Sequence, residues 1–168
     1  MIGLDGDGLP IISAIDADKI ISPISGSNQY ILVGGQAVNF WADIYASLDP
    51  EIALLAPFSS SDIDIFASRS AVIAAAERLG GKLYLPSFDD HTPNSGKLVL
   101  SCDGVPVEID FMATVEGVSN ADVRESCIKM SHPASNNILF VMHPMHCLEG
   151  KIANYGGVNL QKIFAKNA

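Results

Sequence analysis

The stretch "SDIDIF", residues 61–66, alternates acid and apolar side chains, the pattern of a β-strand with two different faces. A strand sends successive side chains to opposite faces, so Asp62 and Asp64 share one face with Cα atoms roughly 7 Å apart. Ile63 and Ile65 take the other face and read as core. Two like charges side by side repel unless something cationic stands between them. "VPVEIDFM", residues 105–112, repeats the pattern, with Glu108 and Asp110 on one face and Val107, Ile109 and Phe111 on the other. If the two strands are neighbours, one of the later carboxylates joins the earlier pair at a single site.

The rest of the chain supplies a frame for those strands. "DADKIISPIS" predicts a short helix capped by Asp16 and interrupted by Pro23. Tyr30 to Val33 reads as a buried strand broken by Gly34-Gly35, after which Ala37, Val38, Trp41 and Tyr45 follow at helical spacing. "LDPEIALLAPFSS" reads as a linker. "SRSAVIAAAERLGG" predicts a helix that starts near Ser68 or Ser70 and closes at Gly80-Gly81. "KLYLP", "GKLVLSC" and "VPVEIDFM" read as three strands, the last two a hairpin turned by Asp103-Gly104. "NADVRESCIKM" predicts a helix, "NNILFVM" a strand, and "HPMHCLEGKIANY" a helix with Pro144 in its first turn. The expected class is α/β or α+β, a mixed β-sheet flanked by helices. The expected divisions are a lead-in segment over 1–28, the main domain over 29–157 and a tail over 158–168.

Composition narrows the function. At 168 residues, 48% hydrophobic and 17% charged, the chain can bury a full core and reads as one domain. It holds no apolar run long enough to span a bilayer, and its start lacks a secretion signal, so a cytoplasmic protein without a membrane partner is expected. Three cysteines with no CxxC spacing agree with a reducing compartment. A net charge of −9, with ten Lys and Arg scattered singly, disfavours a long nucleic acid as partner. It suits a small substrate, a protein substrate, or a site where metal ions supply the positive charge.

Three motifs then stand in order. Glycines between a strand and a helix let a ligand approach the backbone, and the free N–H groups of a helix start bind anions, phosphate above all. The D-x-D strand suits hard divalent cations, which take oxygen ligands from carboxylates and substrate phosphates together. The Glu108/Asp110 strand supplies a third carboxylate. Strand, "GG", helix, then "SDIDIF", then "VEIDF", over about residues 30–155, resembles the nucleotidyltransferase superfamily that contains DNA polymerase beta, in its minimal bacterial forms. These are the antibiotic nucleotidyltransferases and the abortive-infection toxins. The resemblance implies a nucleotidyltransferase fold and transfer of a nucleoside monophosphate from a nucleoside triphosphate, ATP included, to an acceptor hydroxyl on a small molecule, protein or RNA. It implies that Gly34, Gly35 and Ser61 bind nucleotide, and that Asp62, Asp64 and Asp110, with Glu108 in reserve, bind Mg²⁺ or Mn²⁺. Lys151 falls where the family carries an inward helix lysine that touches phosphates or a carboxylate. The stretch between Gly35 and Asp62 is longer than the family's usual spacing. Soon after Lys151, where many relatives continue into a helical substrate-binding part, the sequence stops; either that helical part is cut short here, or the protein is minimal and a partner subunit or second copy completes the substrate site. The competing expectation is a non-catalytic nucleotide-binding module, half of a toxin–antitoxin-like pair.

Other groupings are weaker. "HPMHC" places His143, His146 and Cys147 together, yet zinc wants four ligands, and only His132 and Cys127 are within reach in the sequence. Capping and packing are the expected roles. "FDDHTPNSG" reads as a solvated loop, Trp41 as core and Arg69 as a surface residue.

Overall fold

The computed structural model describes residues 2–87 and 89–165, without side-chain detail for 156–165. Its architecture is α+β. The main sheet takes its strands from Ile31–Leu32 (β3), Ile63–Phe66 (β5), Lys82–Tyr84 (β6), Asn94–Cys102 (β7), Val105–Met112 (β8), Ile128–Met130 (β9) and Leu139–Val141 (β10). They lie in the order β6-β7-β8-β5-β3-β10-β9, a mixed seven-stranded sheet. Gly3–Leu4 (β1), Pro10–Ser13 (β2) and Ser59–Ser60 (β4) form a small second sheet. The helices are Ala14–Ile21 (α1), Gly34–Ala46 (α2), Pro50–Ala53 (α3), Arg69–Leu79 (α4), Asn120–Ser126 (α5) and Pro144–Ala165 (α6). None of the helices among the described residues is long and apolar enough to cross a membrane.

The alternation seen in the sequence sorts the sheet into two faces. Ile63, Ile65, Leu98, Val107, Ile109 and Phe111 are each at most 1% exposed and form the centre of the core. Each such side chain contributes about 1.5–3 kcal/mol by leaving water. Helix α4 covers this face through Ala71, Val72 and Ala75. It starts at Ser68, whose hydroxyl accepts the Ala71 N–H, and stops at Gly80. Beneath it the buried Ser95 hydroxyl donates to the carbonyls of Ala67 and Phe111. The hairpin turns at Asp103 and Gly104, both with positive φ (54° and 83°), as a tight Asp-Gly turn requires.

Several local expectations are corrected. Ser13, not Asp16, caps α1, because its hydroxyl accepts the Asp16 N–H while Asp16 sits in the first turn and accepts back from Ser13 at 2.6 Å. The linker after α2 contains the helical turn α3, capped by Asp49, and then β4. The "CIKM" end of the expected helix over 120–130 turns into β9, which pairs with β10. Residues of the lead-in segment are structural: Ile12, Ala14, Ala17, Ile21 and Ile24 are buried in the core. Helix α6 continues through the first part of the tail, and residues 166–168 lie outside those described.

Candidate active site

Sequence-distant strands meet at β5 and β8. They pair in parallel, with Ile63 opposite Ile109, Asp64 opposite Asp110 and Ile65 opposite Phe111. Paired residues share a face, so the two aspartates stand side by side on the face away from the core. Asp62 lies just before β5 rather than on it, and the bend there turns its carboxylate toward the other two. One oxygen each from Asp62, Asp64 and Asp110 lies within 4.8 Å of the others, and the three residues are half-buried. Among the described residues this is the one grouping of three or more acid, His or Cys side chains close enough to share a metal ion.

The glycine bend abuts this cluster. β3 runs antiparallel to β5, and the Val33 N–H donates to the Asp64 carbonyl at 3.0 Å. The next residue, Gly34, has φ +60° and opens α2. A Cβ on Gly34 would overlap the Asp64 carboxyl group outright. The Gly35 N–H, expected to cradle phosphate, lies close enough to the Asp64 carboxylate to favour its ionised form. The bend thus holds the acid while the helix start beside it keeps its anion-binding character.

Ser61, expected in the nucleotide set, is exposed; its neighbour Ser60, half-buried on β4, donates its hydroxyl to Asp62 at 3.2 Å. Glu108, the reserve ligand, shares the Asp110 face but is drawn away by Lys97, whose ammonium lies 2.6 Å from its carboxylate. Lys97 also stands 3.5 Å from Asp110, and the Asn94 amide donates to Asp110 at 3.4 Å. Lys151 is exposed on α6, and its charge lies close enough to favour the ionised form of Asp64.

Charge dominates the energetics. Burial, then repulsion from Asp62 and Asp110, pushes Asp64 up from the ordinary 3.8 to about 6, against the Gly35 hydrogen bond and Lys151. That rise corresponds to about 3 kcal/mol, more than an exposed ion pair returns. Burial likewise raises Asp110, partly offset by Lys97. Because Asp64 binds its proton more tightly folded than unfolded, stability falls as pH rises from about 4 to 6. In metal-free buffer, Asp64→Asn should therefore melt higher than wild type at neutral pH and show a flatter stability profile across that window. A lower melting point for the variant would contradict the repulsion argument.

The competing groupings resolve into structural roles. The His143 ring accepts the Met145 N–H at 3.2 Å, capping α6, and His146 pairs with Glu149 at 2.6 Å. Cys147 is buried, and burial pushes its thiol up to about 11. His132 is buried against Asp43 and Phe40. The Trp41 indole donates to the Met142 carbonyl at 2.8 Å, and Arg69 to that of Pro86 at 2.7 Å. No protein family model, curated protein or solved structure matches the chain, so what this site can do is read from its own geometry.

Proposed function

We propose that this chain is a metal-dependent nucleotidyltransferase, moving a nucleoside monophosphate from a nucleoside triphosphate to an acceptor hydroxyl. The observation that carries the reading is the register of β5 on β8. It sets Asp64 against Asp110 and lets Asp62 close a three-carboxylate cluster against the Gly34 bend. The cluster fits magnesium or manganese: its donors are all oxygen, they lie within 4.8 Å of one another, and their mutual repulsion already raises Asp64. Bound there, such ions would neutralise charge at the α-phosphate and clamp the attacking and leaving oxygens.

The chain's own residues do the rest. The first turn of α2 and the Lys151 ammonium receive the phosphates. Gly34 makes room for the Asp64 carboxylate against the helix start, so acid and helix start face the same phosphates. The acceptor oxygen bonds to the α-phosphorus, the bond from that phosphorus to the bridging oxygen breaks, and pyrophosphate leaves with the electron pair. Asp110, raised by burial, takes the acceptor proton.

Magnesium at about 100 times its Kd should raise the melting temperature by roughly 5–10 °C. Asp62→Asn should lose that shift, and equal shifts in variant and wild type would remove the metal site.

A second reading, a non-catalytic nucleotide-binding module of a two-chain pair, is favoured by one observation. An apolar groove of about 300 Å³ lies open between α2 and α6, lined by Val38, Trp41, Tyr45 and Leu148. Binding of α-labelled ATP with Mg²⁺, but no pyrophosphate release under any acceptor condition, would select this module over the enzyme.

A further inference from the structure

An in-line displacement needs two approaches to the reacting phosphorus, one for the arriving hydroxyl and an opposite one for the departing pyrophosphate. The strand order places the acids of β5 and β8 between two flanks, with β3 and the glycine bend on one side and β7 and β6 on the other. From the bend across the ends of β5 and β8, a hollow of about 220 Å³ is bounded by Gly34, Asp64, Pro93, Met112, Glu116 and Asn154. Toward β6, the open face of the sheet carries a groove of about 390 Å³ bounded by Tyr84, Pro86, Thr92, Asn94, Lys97 and Glu108. That groove is joined to the site by the Asn94 and Lys97 contacts on Asp110.

Resting on the nucleotidyltransferase reading, we propose that the groove on β6-β7-β8 is the acceptor subsite and that it takes a compact, polyhydroxylated small molecule. Its volume is that of a small-ligand site. Its floor pairs the Lys97 ammonium and Glu108 carboxylate 2.6 Å apart, Thr92 and Asn94 add neutral polar groups, and Leu85, Pro86 and Val99 give it apolar walls that suit the C–H faces of such a molecule. Tyr84, 44% exposed, offers a ring at the far end. Closely spaced donors and acceptors recognise a molecule with several hydroxyls. A nucleic-acid strand would need a row of cations to meet its phosphates, whereas Lys97 is engaged by two carboxylates on a chain of net charge −9. Lys97 is a positioning residue: directly opposite Asp110 in the β7–β8 register, it steadies that carboxylate at the groove mouth. The acceptor hydroxyl enters from the groove, its oxygen bonds to the α-phosphorus as its proton passes to Asp110, and pyrophosphate departs on the Gly34 flank.

Val99 lines the groove and lies opposite Glu108, two residues from Lys97, so Val99→Trp fills the groove without replacing an acid. The assay supplies α-labelled ATP and Mg²⁺ with three acceptor pools: a protein- and RNA-free filtrate of cell extract, total RNA, and total protein. Wild type should label a component of the filtrate. Val99→Trp should cut that labelling about tenfold or more while keeping the Mg²⁺–ATP melting shift. Tyr84→Ala, a trimming of a half-exposed ring, should raise the filtrate concentration needed for half-maximal labelling and leave the same melting shift. Undiminished labelling in both variants, label carried by RNA or protein, or joint loss of labelling and melting shift would each overturn the subsite. A wild type with no Mg²⁺–ATP melting shift would instead bring down the nucleotidyltransferase reading beneath it.

Discussion

Asp64→Asn is expected to lower nucleotide transfer by about 10³-fold or more in a protein that melts at least as high as wild type. The two effects have one cause. Asp64 is the most crowded of the three acids, raised to about 6 by burial and by the charges of Asp62 and Asp110. Asparagine keeps the shape and can still accept the Gly35 N–H, but it carries no charge to hold a divalent cation. The fold is relieved of repulsion while the cluster loses a charge that would hold a cation. A structural role for Asp64 predicts the opposite pairing, a drop in melting temperature with transfer reduced only in proportion to unfolded protein. Label transfer and a thermal melt, each with Mg²⁺ and with chelator, separate the two. Near-wild-type transfer by Asp64→Asn would end the proposed mechanism.

Much of this site was legible because strand alternation is a local property. Asp64 and Asp110 fall on polar faces by parity alone, and Ile63, Ile65, Ile109 and Phe111 are buried as their spacing requires. The register that sets Asp64 opposite Asp110 joins residues 46 apart in the chain, and no local pattern encodes it. The same limit hid Lys97 and Asn94, which reach Asp110 only through the β7–β8 pairing. Lys97 could have been noticed on that hairpin: counting back from the Asp103-Gly104 turn sets it opposite Asp110. No local pattern separates Ser60 from Ser61, yet only Ser60 has a hydrogen bond to Asp62. The β4 pairing with β2 turns Ser60 toward the acids. Segments with weak periodicity, α3 and β9, take their structure from tertiary neighbours rather than from their own pattern.

Gly34→Ala should strongly destabilise the fold. A left-handed backbone costs a side-chain-bearing residue about 1–2 kcal/mol, and Gly34 sits at φ +60°. Gly104, at φ +83° with open space around it, isolates that backbone cost: Gly104→Ala should lose only about 1–2 kcal/mol, or roughly 2–8 °C. At Gly34 the added methyl also meets the Asp64 carboxyl group, on a strand paired with β8 whose Asp64 carbonyl accepts the Val33 N–H, so relieving the overlap disturbs the site. Gly34→Ala should therefore lose more than the Gly104 variant and also forfeit the magnesium-induced melting shift. Gly35→Ala carries no left-handed cost; its methyl would stand 2.6 Å from the Ser60 hydroxyl, so its effect falls on the Ser60–Asp62 hydrogen bond. The damage should be greatest at Gly34, with the metal response lost there and kept at Gly104. If Gly34→Ala melted with Gly104→Ala and still answered to magnesium, the bend and the acids would be neighbours without being coupled, and the phosphate chain would have no enforced path to the metal.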